Sequence, residues 1–195
     1  RCALPIPDSL GDKVSKCQHC RQQRLFFRQA EVLQLYRGPA REMVLRLKHP
    51  NHETLAVAAG RWLAEQLKQR QWQEEIDVVT AVPVHWLRRL VRGYYAAEAL
   101  AIAVADALAR PAATDLLYCR RWTAKQSTLL PDERQANVRR AFGVAWHYKI
   151  AGCRVLLVDD VITTGATAAA ACRALKQAGA AEVRVAAIAR GTGDA

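Results

Sequence analysis

Apolar residues change their spacing several times along the chain, and each change marks an expected element. Leu55, Ala59, Trp62, Leu63 and Leu67 recur at helical intervals, which predicts a helix over 55–67. Pro39 can open an earlier helix at its first turn, and Pro50 closes it. Within that helix Met43, Val44 and Leu47 share one face, while Arg41, Arg46 and Lys48 lie near the other. Residues 76–84, IDVVTAVPV, are rich in β-branched side chains and read as a buried strand ending at Pro83. An Ala/Leu-rich stretch over 94–109 reads as helix; 115–119 and 142–147 read as short strands flanking a polar, basic loop. Residues 154–158 form a further apolar strand, 166–178 a helix with Gly179 as its C-cap, and 183–189 the last strand. This alternation predicts an α/β fold, a mostly parallel sheet with helices on both faces. Residues 1–28 differ: Pro5, Pro7 and Gly11 break local structure and a C-x-x-C pair follows. They read as a small N-terminal module, with 29–195 as the main domain.

Composition narrows the class. A hydrophobic content of 51% in 195 residues describes a globular chain. The apolar run 99–105 is bounded by Glu98 and Asp106, too short to cross a bilayer, and no signal peptide is legible. A cytoplasmic location is expected. The first residue is Arg1 rather than Met, so an upstream portion is expected to be missing. The net charge of +11 is concentrated: residues 21–48 carry +5, 85–93 carry +3 and 120–140 carry +4. Such clusters suit a polyanionic partner, either a phosphorylated small molecule or a nucleic acid, and equally a plain basic surface. Six cysteines in a cytoplasmic chain argue against a disulfide framework, and Cys119, Cys153 and Cys172 read as small core hydrophobes.

The most informative segment is VLLVDDVITTGAT, residues 155–167. Four apolar residues deliver Asp159 and Asp160 to the carboxyl end of a strand, the edge where parallel sheets bind ligands. Thr163, Thr164, Gly165, Ala166 and Thr167 follow at the start of a helix, where hydroxyls and backbone N–H groups can surround a phosphate. Gly165 permits the tight turn that close approach requires. Acceptors for sugar hydroxyls and donors for a phosphate, one loop apart, outline a ribose 5-phosphate. Adjacent carboxylates repel, a cost with little purpose in folding alone.

This segment resembles the signature of type I phosphoribosyltransferases that binds 5-phosphoribosyl-1-pyrophosphate (PRPP). The resemblance implies that Asp159 and Asp160 contact the ribose 2′- and 3′-hydroxyls and that residues 163–167 hold the 5′-phosphate. Residues 80–94, TAVPVHWLRRLVRGY, and 120–142, RRWTAKQSTLLPDERQANVRRAF, are similar to segments of the ComF family. Its members are phosphoribosyltransferase-like proteins associated with competence and DNA uptake in bacteria, often preceded by a zinc module. The likeness extends from about residue 37 to 190. Many relatives carry R-G-F-N-Q where this chain has Arg92, Gly93, Tyr94, Tyr95 and Ala96, which leaves any second substrate open.

Other constellations support the reading. The resemblance places Pro83, Val84, His85, Arg88 and Arg92 beside the pyrophosphate, and exposed amides with guanidinium groups suit a diphosphate. Residues 120–140 have the makeup of an anion-seeking flap; the resemblance implies that this flexible loop closes over PRPP, with Arg121 and Gln126 as contacts. Cys2, Cys17 and Cys20 supply three thiols for a tetrahedral, structural Zn²⁺ site, with the fourth ligand expected from an upstream cysteine. Two functions remain open. One is a phosphoribosyl transferase that uses Mg²⁺ with PRPP, passes the phosphoribosyl group to an unidentified acceptor and releases pyrophosphate; Arg190 and Gly191 are candidate lining residues for the acceptor. The other is a PRPP-binding accessory or sensor in DNA uptake, whose basic segments meet single-stranded DNA or competence proteins.

Overall fold

The computed structural model describes residues 1–5, 17, 20–21, 24–84, 93–120 and 141–192. In chain order these form β1 (Ala30–Leu35), α1 (Gly38–Leu47), α2 (Glu53–Gln69), β2 (Val78–Ala81), α3 (Ala96–Leu108), β3 (Leu117–Cys119), β4 (Phe142–Val144), β5 (Arg154–Ile162), α4 (Ala166–Gln177) and β6 (Glu182–Arg190), with short 3₁₀ turns at Pro50–His52 and Gln73–Glu75. Four strands make one wholly parallel sheet in the order β1-β6-β5-β2, and β3 pairs with β4 as a separate antiparallel ribbon.

Alternation along the strands feeds two cores. Leu156 and Val158 of β5 join Ala186 and Ile188 of β6 under α1, α2 and α3. Val155 and Leu157 enter the opposite core with Val183 and Val185, beneath α4 and the β3-β4 ribbon. Each buried Val, Leu or Ile contributes about 1.5–3 kcal/mol against exposure, so both faces of the sheet are stabilised. Cys2, Leu25 and Phe27 from the N-terminal segment share the α4 core. Across the other face α2 and α3 pack closely: a Cβ added at Gly60 would lie 2.6 Å from that of Ala103.

Three expectations change. β1 is a strand that apolar spacing does not announce, because AEVLQL alternates poorly and carries Glu31 into a buried position. Gln66 of α2 makes that burial tolerable, donating to Glu31 Oε1 at 2.5 Å and to the Val32 carbonyl at 3.0 Å. β2 is shorter than the apolar run 76–84, ending at Ala81 before Pro83. β5 is longer than 154–158. Its ladder to β6 continues through Asp159↔Ala187, Val161↔Ala189 and Ile162↔Arg190, since a parallel neighbour satisfies the backbone whatever the side chains are.

These unequal lengths position the site. β2 pairs with β5 only as far as Ala81↔Val158, so residues 159–162 overhang their neighbour at the carboxyl end. The helix after β2 packs on one face of the sheet and the helix after β5 on the other. The β2/β5 boundary is therefore a topological switch point, where connections diverge and leave a crevice. Among the described residues no helix is long and apolar enough to cross a membrane.

Candidate functional site

Asp159 and Asp160 occupy the overhang of β5, half-buried. The Asp160 N–H donates to Asp159 Oδ1 at 2.8 Å. Burial, followed by the neighbouring charge of Asp160, pushes the Asp159 carboxyl well above the usual carboxylate range. Lys48, just past the end of α1, reaches to 3.4 Å from Asp160 Oδ2. Among the described residues the pair is thus only partly neutralised, and a carboxyl short of donors there is poised to take hydroxyls or a cation.

The turn after β5 carries Thr163, exposed, and Thr164, half-buried. Gly165 holds φ 79° and ψ 0°, a left-handed conformation that a side chain would strain, and caps α4. Thr164 Oγ1 accepts from the Ala166 N–H at 3.3 Å. The first intrahelical bond runs from the Ala169 N–H to the Gly165 carbonyl, at 2.8 Å. By helix geometry the N–H groups of Thr167 and Ala168 lie ahead of any intrahelical acceptor. Together with the Thr163 hydroxyl and the positive end of a 12-residue helix, they form a cradle for an anion.

Pro83 and Val84 follow β2 across the crevice and line a cavity of about 260 Å³ with Tyr95, Glu98, Tyr118 and Cys119. The Cys119 thiol donates to the Pro83 carbonyl at 3.4 Å, tying the β3-β4 ribbon to this loop. The other expected contacts, His85, Arg88, Arg92, Arg121 and Gln126, lie outside the described residues.

Cys2, Cys17 and Cys20 come together, with all three sulfurs within 4.8 Å of one another. Cys2 Sγ and Cys17 Sγ are 3.4 Å apart, and the Cys20 N–H donates to Cys17 Sγ at 3.4 Å. Burial and the adjacent sulfurs push the Cys20 thiol up to about 12. At Cys17 burial acts upward too, but hydrogen bonds from Cys20 and Cys2 outweigh it and leave the thiol lowered. A tetrahedral Zn²⁺ with bonds of about 2.3 Å separates its sulfurs by roughly 3.8 Å, so this donor set fits one thiophilic ion.

Two residues gain roles that spacing did not assign. Lys48 was legible only as a basic residue beside Pro50, within the positively charged stretch 21–48. Arg190 is not an acceptor-lining side chain: it ends β6 at 1% exposure, with its guanidinium turned onto backbone carbonyls.

Several known proteins resemble this chain. The model of the phosphoribosyl transferase domain matches residues 124–194, which include the acid pair, the turn and α4. Competence protein F of Haemophilus influenzae is 28% identical over 182 residues, covering 89% of this chain and 78% of its own. The DNA utilization protein YhgH of Salmonella typhi is 27% identical over 188 residues, covering 95% and 80%. These similarities support the ComF family for this chain. Among solved structures, the glutamine PRPP amidotransferase of B. subtilis, complexed with ADP and GMP, is similar at 26% identity and a TM-score of 0.45. That match covers 67% of this chain and 25% of the amidotransferase chain. The parallel sheet and the match to the phosphoribosyl transferase domain support a phosphoribosyltransferase-like fold.

Proposed function

We propose that this chain binds PRPP across the β2/β5 crevice and transfers its phosphoribosyl group to an acceptor, releasing pyrophosphate. The observation that carries the reading is the overhang of β5, which sets two partly compensated carboxylates one turn before an open helix N-terminus. Asp159 and Asp160 accept the ribose 2′- and 3′-hydroxyls. Thr163, Thr164 and the N–H groups at residues 165–168 receive the 5′-phosphate. Pro83 and Val84 face the pyrophosphate; by resemblance His85, Arg88 and Arg92 share that role, and Arg121 and Gln126 contact the ligand.

In the transfer the bond between the anomeric carbon and the pyrophosphate oxygen breaks, and its electron pair leaves with pyrophosphate. The acceptor forms the new bond to that carbon and gives up its proton. Mg²⁺, when bound with PRPP, would offset the negative charge of the leaving group. The chain's own contribution is positioning, together with the negative field of Asp159 and Asp160 on the positive charge that develops at the sugar. Zn²⁺ on Cys2, Cys17 and Cys20 is a structural element of the same proposal.

Calorimetry with PRPP and Mg²⁺ tests the premise on wild type and on Asp159→Asn/Asp160→Asn. Equal affinity in the two would sink it. A second reading keeps the PRPP site but not the turnover, making the chain a DNA-uptake accessory. Its support is the printed names of the relatives, a competence protein and DNA utilization proteins, together with the net charge of +11. Pyrophosphate release with a panel of nucleobases favours the first reading; salt-sensitive binding of single-stranded oligonucleotides favours the second.

A further inference from the structure

Arg190 holds the phosphate turn from beneath. It is a cation at 1% exposure, and among the described residues its partners are carbonyl oxygens rather than a carboxylate. Nε donates to the Cys2 carbonyl at 3.0 Å, across 188 positions of sequence. One terminal nitrogen donates to the carbonyls of Ile162 at 2.9 Å and Gly191 at 2.8 Å, and to that of Thr163. The Ile162 carbonyl also accepts from the Gly191 N–H at 2.8 Å. Ile162 and Thr163 are the last residue of β5 and the first of the turn that opens α4. One rigid, forked side chain therefore joins the cysteine cluster to the anion cradle.

A buried guanidinium is expensive to hold without compensating charge, and carbonyl dipoles offset only part of that cost. The three sulfurs supply the rest of its electrostatic surroundings, each favouring the cation against burial. A divalent ion on three thiolates leaves that cluster with a net charge of −1, because binding releases the thiol protons.

We propose that Arg190 is a positioning residue coupling the Cys2–Cys17–Cys20 cluster to the phosphate turn: a thiophilic divalent metal on the three sulfurs fixes Cys2, the Cys2 carbonyl orients the guanidinium, and the guanidinium sets the Ile162 and Thr163 carbonyls that shape the cradle. The metal thereby governs affinity for a phosphate monoester from a distance, without touching it. The identity of that ligand rests on the PRPP reading; the coupling itself does not.

The test compares zinc-loaded and chelator-stripped full-length chain, in wild type and Arg190→Lys. Amide hydrogen exchange over 161–168 is followed without ligand, and ribose 5-phosphate binding by calorimetry. In wild type, stripping should speed exchange in this segment about tenfold and weaken ribose 5-phosphate about tenfold. Arg190→Lys keeps the charge but loses the fork, so it should bind zinc at the wild-type stoichiometry while both readouts stand near the stripped values. Stripping should then change them less than twofold. Identical exchange in loaded and stripped wild type overturns the proposal, as does an Arg190→Lys chain that responds to stripping as wild type does. A wild type that takes up no zinc overturns it too. Should Arg190→Lys fail to fold, Cys17→Ser, which leaves Arg190 in place, must reproduce the stripped exchange pattern or the coupling is lost. Intact exchange coupling with no ribose 5-phosphate binding upholds the latch and refutes the PRPP reading alone.

Discussion

Strands β2 and β5 lie side by side, and aspartate stands at each end of the pair. At the amino end, Asp77 precedes β2 and meets Arg154, the first residue of β5. It accepts from the Arg154 backbone N–H at 2.7 Å, from Nε at 3.1 Å and from a terminal nitrogen at 2.6 Å. Those hydrogen bonds draw its carboxyl down to about 2. At the carboxyl end, Asp159 receives the N–H of Asp160, but burial, and then the opposing Asp160 carboxylate, push the Asp159 carboxyl up instead. Among the described residues, the same side chain on the same two strands is saturated at one end and left short of donors at the other. Saturation is what a fold does with a carboxylate it uses as a fastener. A half-buried pair without full compensation is a cost to the empty protein, and a ligand that completes its hydrogen bonds recovers it.

The comparison breaks most easily through binding. Asp159→Asn/Asp160→Asn removes two charged acceptors, each worth about 1.5–3 kcal/mol to a hydroxyl donor, so PRPP affinity should fall by roughly 10² to 10⁴. Asp77→Asn should leave it unchanged. Calorimetry on the two variants side by side decides between a ligand site at the carboxyl end and a merely awkward one. A smaller effect sharpens the same contrast. Lys48→Met takes away the cation at 3.4 Å from Asp160. Because Lys48 is 43% exposed, its removal should change PRPP affinity by only about twofold to fivefold. It should also raise the Asp159 carboxyl further, which titration of that residue by NMR would report.

What the sequence made readable is what is local. The acid pair, the Thr/Gly turn and α4 fall within residues 155–177, and their order along the chain is their order in space. The alternation of strand and helix was enough for a parallel sheet with two covered faces. β1 was hidden because its buried glutamate is satisfied by Gln66, 35 positions away. The true length of β5 was hidden because the backbone of β6, not its own side chains, extends it. Lys48 and Arg190 escaped for the same reason. The first acts on a residue 112 positions later and the second on one 188 positions earlier, and no periodicity encodes such meetings.

The smallest expected effect lies in stability against pH, where the two ends should move in opposite directions. Asp77 has a folded value of about 2 against an ordinary 3.8. Its contribution is present above the ordinary value and is lost as pH falls through about 2. Asp159 is raised, so its contribution is complete below the ordinary carboxylate value and is lost as pH rises through its folded value. In thermal melts without ligand, Asp159→Asn should therefore match wild type near pH ~4 and become the more stable protein towards pH ~7. Asp77→Asn should be the less stable one at neutral pH, and its deficit should close as the solution is acidified. Added PRPP and Mg²⁺ should raise the melting temperature of wild type and leave Asp159→Asn/Asp160→Asn where it was. If Asp159→Asn proves less stable than wild type at neutral pH without ligand, Asp159 is a fastener like Asp77, and the carboxyl end loses its claim to be the site.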